Sequence, residues 1–157
     1  MIKSKLPSMD PMGHKTSYVY DNEERVVNKI VYDGTTEITT LTTYDPTGRV
    51  VSVQDPAGNT TSYTYDKKGN VLTKTEPGKG TTTYTYDQNG KVLTETDAAN
   101  QTTTYAYNNV GRLITETNAL GKTTTNTYDA NGKLSSVTDA LNHKTQYQYD
   151  EKGTLLR

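Results

Sequence analysis

Residues 65–86 read Tyr65-Asp-Lys-Lys-Gly-Asn-Val-Leu-Thr-Lys-Thr-Glu-Pro-Gly-Lys-Gly-Thr-Thr-Thr-Tyr-Thr-Tyr86, and this stretch contains one full unit of a repeat. From Tyr44 on, the Tyr-Asp pair recurs every 21 residues, once as Tyr-Asn, and a Gly follows three residues after each Asp or Asn. A second turn sequence, such as Asp55-Pro-Ala-Gly, lies in the middle of each unit. A fixed period of this kind is typical of a repeat array.

Each unit predicts two short strands and two turns. Asp first, Pro second and Gly fourth is the pattern of a type I turn whose Gly adopts positive φ, as we expect for Gly90 and Gly132. The β-prone runs between the turns indicate strands, and no 3.6-residue period indicates a helix. We therefore expect an all-β array of consecutive antiparallel β-hairpins, with about 15 short strands in one curled sheet, as a solenoid or shell segment.

The regularity of the repeat divides the chain at residue 44. Residues 44–157 form regular 21-residue repeats, whereas residues 1–43 form degenerate ones. The unit from Tyr20 to Tyr44 is three residues longer than the others and carries Glu24 where Gly is expected, which predicts a wider hairpin around Asp33-Gly34. We interpret the chain as a single continuous array and a fragment of a longer one.

An odd period has a consequence for the two faces of a sheet, because successive side chains alternate between them. One turn must absorb a residue, and a three-residue loop with a Gly bulge after each Tyr-Asp is the predicted place. Twelve of the 13 Tyr then share one face, with Tyr32 as the exception. This face repeats most strictly, and we expect it to pack. Its predicted members are Thr61, Tyr63, Tyr65, Val71, Thr73, Thr82, Tyr84, Tyr86, Val92, Thr94, Thr103, Tyr105, Tyr107, Leu113 and Thr115.

The opposite face is predicted to be more polar and more variable. Its expected members are Thr60, Ser62, Thr64, Leu72, Lys74, Leu93, Glu95, Ile114, Glu116, Gln146 and Gln148. The residues expected to carry the fold are the tyrosines and the turn Asp and Gly. These structural repeat positions are Tyr44, Asp45, Gly48, Tyr63, Tyr65, Asp66, Gly69, Tyr84, Tyr86, Asp87, Gly90, Tyr105, Tyr107, Gly111, Tyr128, Asp129, Gly132, Tyr147, Tyr149, Asp150 and Gly153.

The composition argues against several functional classes. A formal charge of -1 lacks the electrostatic footprint of a nucleic-acid-binding protein, and no apolar run approaches a membrane span. The chain has no Cys and only two His, His14 and His143, both at variable turn positions. The repeated Asp residues are equivalent copies, so we interpret them as hydrogen-bonding their own turns and not as acid–base pairs or calcium ligands. We predict no enzymatic activity, no cofactor and no metal.

The unit Tyr107-Asn-Asn-Val-Gly-Arg-Leu113, with its 21-residue spacing, resembles the Rhs or YD repeat from about residue 2 to residue 157. This family includes bacterial Rhs polymorphic toxins, wall-associated proteins, toxin-complex shell components and teneurins. The resemblance implies a long sheet that spirals into a hollow shell around a C-terminal toxin domain, and a secreted or cell-surface location. This sequence differs in having no toxin domain and no self-cleaving segment, and it begins and stops partway through a repeat.

The functional interpretation is a non-enzymatic structural β-repeat array, a segment of an Rhs-type shell or cell-surface fibre that encloses or displays a toxin domain. One alternative is a carbohydrate- or cell-surface-binding module that uses its Tyr rows, and another is a self-assembling extracellular fibre subunit. The partners considered are further YD repeats, copies of the chain itself, an enclosed toxin domain and surface glycans. We expect self-association through the terminal strands around Leu155 or through the Tyr rows.

Overall fold

The structure is a computed structural model that describes residues 3–4, 8–9, 11 and 15–156. Within these residues it contains fifteen strands and no helix. The strands are β1 Lys3–Ser4, β2 Ser8–Met9, β3 Lys15–Tyr20, β4 Val26–Asp33, β5 Thr36–Tyr44, β6 Val50–Gln54, β7 Thr60–Tyr65, β8 Val71–Glu76, β9 Gly80–Tyr86, β10 Val92–Thr96, β11 Thr102–Tyr107, β12 Leu113–Thr117, β13 Thr123–Tyr128, β14 Leu134–Thr138 and β15 Lys144–Gln146.

The chain divides into two compact units, Met1–Thr81 and Thr82–Arg157. Among β1 to β8, β1 and β2 both pair with β3, and the strands from β3 to β8 pair antiparallel in sequence order. The strands from β9 to β15 likewise pair antiparallel in sequence order. The prediction of an all-β array of consecutive antiparallel hairpins is therefore confirmed.

In the repeat that starts at Tyr44, both turns are the same three-residue loop. At the Tyr-Asp turn the Gly48 N–H donates to the Asp45 carbonyl at 3.0 Å, and the Asp45 N–H donates to the Arg49 carbonyl at 2.9 Å. The mid-repeat turn that starts at Asp55 repeats both bonds, from Gly58 and to Asn59. The expected positive φ of the turn Gly is confirmed at Gly90 and Gly132, both at 80°. Because the two turns are alike, neither turn alone absorbs the odd residue.

The extra residue that an odd repeat length requires is the second residue of the strand that follows the Tyr-Asp turn. Tyr65 pairs with Val71, but the preceding Thr64 pairs with Thr73, which leaves Leu72 as the extra residue of a β-bulge. The same shift occurs at the equivalent position of β3–β4, β5–β6, β9–β10, β11–β12 and β13–β14. The bulge is thus a regular part of every repeat.

This position of the bulge corrects the predicted membership of the two faces. Residues paired across strands share a face, and the hydroxyls of Thr64 and Thr73 lie 2.6 Å apart, so Thr73 lies opposite the tyrosines. By the same pairing Thr94 and Thr115 lie opposite the tyrosines as well. Placing the extra residue in the turn itself was wrong, because the strand changes face only after its first aliphatic residue.

The correction also moves charged residues onto the tyrosine face. Lys74 pairs with Tyr63, Glu95 pairs with Tyr84, and Glu116 pairs with Tyr105. These three residues were predicted on the opposite face and lie on the tyrosine face instead. We call the side that carries the tyrosines and these charges the tyrosine face, and the other side the hydroxyl face.

The long hairpin of β4 and β5 accommodates the three extra residues of its unit. Asp33 pairs with Thr36 around a two-residue loop, and Gly34 has φ of 60°. Changing from a three-residue to a two-residue loop offsets the odd insertion, so Tyr20 and Tyr44 stay on the same face. Tyr32 lies on the opposite face, as predicted, with its hydroxyl 3.3 Å from that of Ser17.

The described residues contain no buried hydrophobic side chain, and the two most enclosed side chains are Ser17 at 9% and Ser136 at 3% exposure. The tyrosines are half-buried. A conventional core therefore does not account for the stability of these residues. Contacts that recur from one 21-residue repeat to the next must therefore stabilise the fold.

Glu24 occupies a turn position that the other units give to Gly, and its φ is 62°. A side chain in this left-handed region is strained, so we expect Glu24→Gly to raise the free energy of unfolding by about 1 kcal/mol. Urea titration would measure it. The reverse substitution at the equivalent turn, Gly69→Glu, is the matched control and should lower stability. A Glu24→Gly protein that is less stable than the wild type would contradict the assignment.

Candidate functional site: the tyrosine ladder

In five of the Tyr-Asp and Tyr-Asn pairs, the tyrosine reaches back to the previous repeat. Its hydroxyl donates a hydrogen bond to the carbonyl of the aliphatic residue at the start of that repeat's strand. The bulge directly after this aliphatic residue interrupts the hydrogen bonding between the two strands. The tyrosine hydroxyl donates to the carbonyl of the aliphatic residue at this interruption. The bonds are Tyr44 to Val26 at 2.8 Å, Tyr65 to Val50 at 2.5 Å, Tyr107 to Val92 at 2.9 Å, Tyr128 to Leu113 at 2.7 Å and Tyr149 to Leu134 at 3.0 Å.

A basic side chain covers the ring of the same tyrosine. It belongs to the residue just before that aliphatic position, so the link joins the same two repeats. The distances from cation to ring centroid are 4.8 Å for Arg25 over Tyr44, 4.8 Å for Arg49 over Tyr65, 5.3 Å for Lys91 over Tyr107, 5.6 Å for Arg112 over Tyr128 and 5.0 Å for Lys133 over Tyr149. At this range the ring attracts the cation. We call the combined hydroxyl and cation contacts the tyrosine ladder.

At some of the turns that follow a tyrosine, the ladder also favours Gly over a residue with a side chain. The basic side chain continues past the ring to the next turn, where the Arg49 guanidinium donates to the Asp66 carbonyl at 2.9 Å. A Cβ on Gly132 would overlap the guanidinium of Arg112, and one on Gly111 would overlap Lys91. Gly at these two positions accommodates the positive φ and leaves the basic side chain in place, whereas a Cβ on Gly69 would meet no atom within 4 Å.

The turn Asp residues hydrogen-bond their own turns, as the sequence predicts. Asp45 accepts from the N–H groups of Thr47 and Arg49 at 2.8 and 3.0 Å. The Thr47 hydroxyl, followed by the Arg49 backbone and side chain, holds the pKa of Asp45 well below its usual range. The Asn70 side chain lowers the pKa of Asp66 in the same way, and the His143 N–H lowers that of Asp139.

These depressed pKa values predict a loss of stability in acid. The unfolded chain takes up protons at the ordinary Asp pKa of about 3.9, whereas the folded turns resist protonation to lower pH. The free energy of unfolding should therefore reach its full value above about pH 5 and fall as the pH drops through 4 and below. The midpoint of urea unfolding, followed from pH 7 to pH 2.5, would show the decline.

Asp66→Asn is the control for this prediction. Asn108 stands at the equivalent position of a later repeat and accepts the same backbone bonds from Val110 and Arg112 at 3.2 and 2.9 Å. The Asp66→Asn variant should keep the geometry of this turn and lose one titrating group, so it should lose less stability between pH 7 and pH 3. An identical acid sensitivity would exclude Asp66 as a contributor.

A second row of tyrosines lies beside the ladder and meets the charges of the tyrosine face. Tyr105 pairs with Glu116, and its hydroxyl interacts with Glu95 from the neighbouring strand. Burial, with the negative charges of these two carboxylates, raises the pKa of Tyr105. The phenol is therefore held in its neutral, hydrogen-bonding form.

Within the described part of the chain, no cluster of three or more acidic or His residues is placed to hold a metal ion. The same residues include no helical segment that could span a membrane. His143 is 74% exposed, with its Nδ1 3.0 Å from Asp139 Oδ2, and His14 lies outside the described residues. The geometry of the ladder provides contacts between repeats.

Comparisons with known proteins agree with this repeat geometry. The sequence model of the family described as Teneurin YD-shell matches residues 8–157. The chain belongs to the YD-shell family. The comparison with curated proteins finds no match.

Solved structures share the fold of this chain. The crystal structure of TcdB2-TccC3-Cdc42 matches with a TM-score of 0.69 at 20% identity, over 97% of this chain and 9% of that one. TcdB2-TccC3 without its hypervariable C-terminal region gives the same values. The Tc holotoxin pore of Photorhabdus luminescens matches with a TM-score of 0.57 at 18% identity, over 94% of this chain and 12% of that one. This YD-shell chain thus spans about a tenth of the length of the chains it matches.

The structure brings the predicted repeat positions of the YD-shell chain together in part. The Tyr of the Tyr-Asp or Tyr-Asn pair lies in the ladder, next to the Gly of the turn that follows it. The Asp of the same turn hydrogen-bonds the turn backbone. The basic residues were missed as partners of the tyrosines, although the position after the turn Gly is Arg49, Lys91, Arg112 and Lys133 in four of the five complete regular repeats. That regularity was the available signal.

Proposed function

We propose that the chain is a non-enzymatic wall segment of an Rhs-type shell that encloses a toxin domain outside the producing cell. The observation that carries the proposal is the tyrosine ladder, in which the most strictly repeated side chains bind neighbouring repeats of the same chain. The similarity to the TcdB2-TccC3 and Tc holotoxin structures supports a shell around a toxin component. A secreted or cell-surface location and partners among further YD repeats follow from the same proposal.

The contacts of the ladder argue against glycan binding by the same tyrosines. A sugar ring that stacks on an aromatic side chain needs an uncovered ring face, and a cation already occupies one face of the rings of Tyr44, Tyr65, Tyr107, Tyr128 and Tyr149. Their hydroxyls are also engaged with backbone carbonyls. The predicted alternative of a carbohydrate-binding module therefore has less support than the structural role.

A chimaera would test the wall function. Residues 44–148 would replace the matched segment of the TcdB2-TccC3 shell, and protease protection of its hypervariable C-terminal region would be measured. We expect protection equal to that of the parent complex. The same chimaera with Tyr107→Ala and Tyr128→Ala should lose protection, because two links of the ladder are removed. A folded chimaera whose C-terminal region is digested would contradict the proposal, and specific binding on a glycan array would favour the carbohydrate alternative.

A further inference from the structure

We propose that the hydroxyl face of the second unit is a self-association surface that binds the same face of a second copy of the chain. This inference goes beyond the wall function and does not depend on it. Thirteen hydroxyl side chains from β9 to β14 form the face. They are Thr83, Thr85, Thr94, Thr96, Thr102, Thr104, Thr115, Thr117, Thr123, Thr125, Thr127, Ser136 and Thr138, of which Ser136 is only 3% exposed and supports the face without being accessible to a partner.

Direct contacts between hydroxyls show that these side chains share one side of the strands. They cross from strand to strand through the second unit. The distances are 2.6 Å for Thr85 and Thr94, 2.9 Å for Thr96 and Thr102, 2.8 Å for Thr117 and Thr123, and 2.7 Å for Thr127 and Ser136. The paired hydroxyls hold the threonine methyl groups in a fixed arrangement over these strands.

Aliphatic side chains join the methyl groups on this face. Ser135 is the bulged residue of β14, and its hydroxyl lies 2.9 Å from that of Thr127, which places the bulge position on the hydroxyl face. Leu93 and Ile114 occupy the same bulge position in β10 and β12. Leu93 is 37% exposed. The face therefore offers apolar surface as well as hydrogen-bonding groups.

The distribution of charge separates the two faces. From β9 to β14 the pairing places no charged side chain on the hydroxyl face, and the first is Lys144 of β15, opposite Thr138. The tyrosine face of the same strands carries Glu95 and Glu116 and the cations of the ladder. Covering charged groups costs free energy, and the core of an interface is depleted of them. The hydroxyl face is the less costly face to cover.

A second copy is the partner that fits this surface. The described residues bury no hydrophobic side chain, whereas a sheet becomes stable by packing one face against another layer. Each hydroxyl can both donate and accept, so a lattice of hydroxyls and methyl groups complements itself across a two-fold axis. The predicted face-to-face pairing through the Tyr rows would instead bring two charged surfaces together.

Neighbouring threonines provide a matched experiment, because adjacent residues of one strand point to opposite faces. Thr104 pairs with Thr94 and Thr125 with Thr115 on the hydroxyl face, whereas Thr103 pairs with Glu95 and Thr124 with Glu116 on the tyrosine face. The Thr104→Lys, Thr125→Lys protein and the Thr103→Lys, Thr124→Lys control have the same composition and net charge. Sedimentation equilibrium of the full chain, from micromolar to millimolar concentration, would compare both with the wild type.

We expect a reversible wild-type dimer, a dissociation constant at least tenfold weaker for the hydroxyl-face variant, and a change below threefold for the control. A wild-type chain that remains monomeric throughout this range would overturn the proposal. Equal weakening by both pairs of substitutions, or weakening by the tyrosine-face pair alone, would overturn it as well. Far-ultraviolet circular dichroism would verify that each variant is folded.

A crosslinking measurement keeps the test decisive if the lysine variants do not fold. The chain has no Cys, so a single introduced cysteine is unambiguous. Thr85→Cys, Thr104→Cys and Thr125→Cys scan the hydroxyl face, and Thr82→Cys, Thr103→Cys and Thr124→Cys scan the tyrosine face. Under mild oxidation we expect disulfide-linked dimers from at least one member of the first set, formed faster than from any of the second. Equal rates, or faster linkage through the tyrosine face, would contradict the proposal.

Discussion

Tyr107→Ala is expected to lower the free energy of unfolding by about 3 kcal/mol, in the range of truncating a packed aromatic side chain. The substitution removes the hydroxyl bond to the Val92 carbonyl, the ring beneath Lys91 and the apolar contact between two repeats. Urea unfolding followed by circular dichroism would measure the loss. No other link of the ladder spans the same pair of repeats, so neighbouring contacts should not compensate.

Two controls separate the parts of this effect. Tyr107→Phe keeps the ring and removes only the hydrogen bond, so it should cost about 1 kcal/mol. Thr104→Ala, on an exposed hydroxyl of the same strand, should cost under about 0.5 kcal/mol when measured below the concentration of self-association. A loss for Tyr107→Ala no larger than that for Thr104→Ala would show that the ladder does not hold the repeats together.

Gly132→Val is expected to cost about 2 kcal/mol, because two effects add. A β-branched residue at φ of 80° is strained, and the new side chain would displace the Arg112 guanidinium from the ring of Tyr128. The thermal midpoint and the urea midpoint should both fall.

Gly121→Val is the matched control within the same unit. Gly121 has φ of 71°, but no atom lies within 4 Å of the position of a Cβ. It should therefore show the strain alone and a smaller loss than Gly132→Val. Equal losses at the two positions would mean that the displaced guanidinium contributes nothing to stability. Full tolerance of Val at both would contradict the argument from positive φ.

The strands and turns could be predicted from the sequence because each depends on neighbouring residues. Asp55-Pro-Ala-Gly58 specifies its loop through groups within the same five residues, and the Thr and Tyr runs favour strands wherever they pack. The same pattern of strands and turns recurs in every repeat, which strengthens a prediction that one copy would support only weakly. The whole all-β hairpin order followed from it.

The face assignment and the cation contacts could not be predicted in the same way. A bulge at Leu72 and a bulge in the preceding turn satisfy the same 21-residue arithmetic, and only the pairing of Thr64 with Thr73 distinguishes them. The contact between Arg49 and Tyr65 joins residues on different hairpins, so it depends on the register of three successive strands. Local propensities carry no information on that register.

The bulge in every repeat gives the array a phase, in the sense that a reading frame has one. Gain or loss of a whole unit leaves every downstream tyrosine on its own face, so tandem duplication can lengthen such a gene without redesigning any contact. Gain of a single residue within a strand would exchange the faces of everything that follows it. The β4–β5 hairpin shows the remedy, because an odd insertion there is accompanied by a loop shorter by one residue. Lineages of such arrays should therefore vary in length by whole units, or by odd insertions paired with a change of loop.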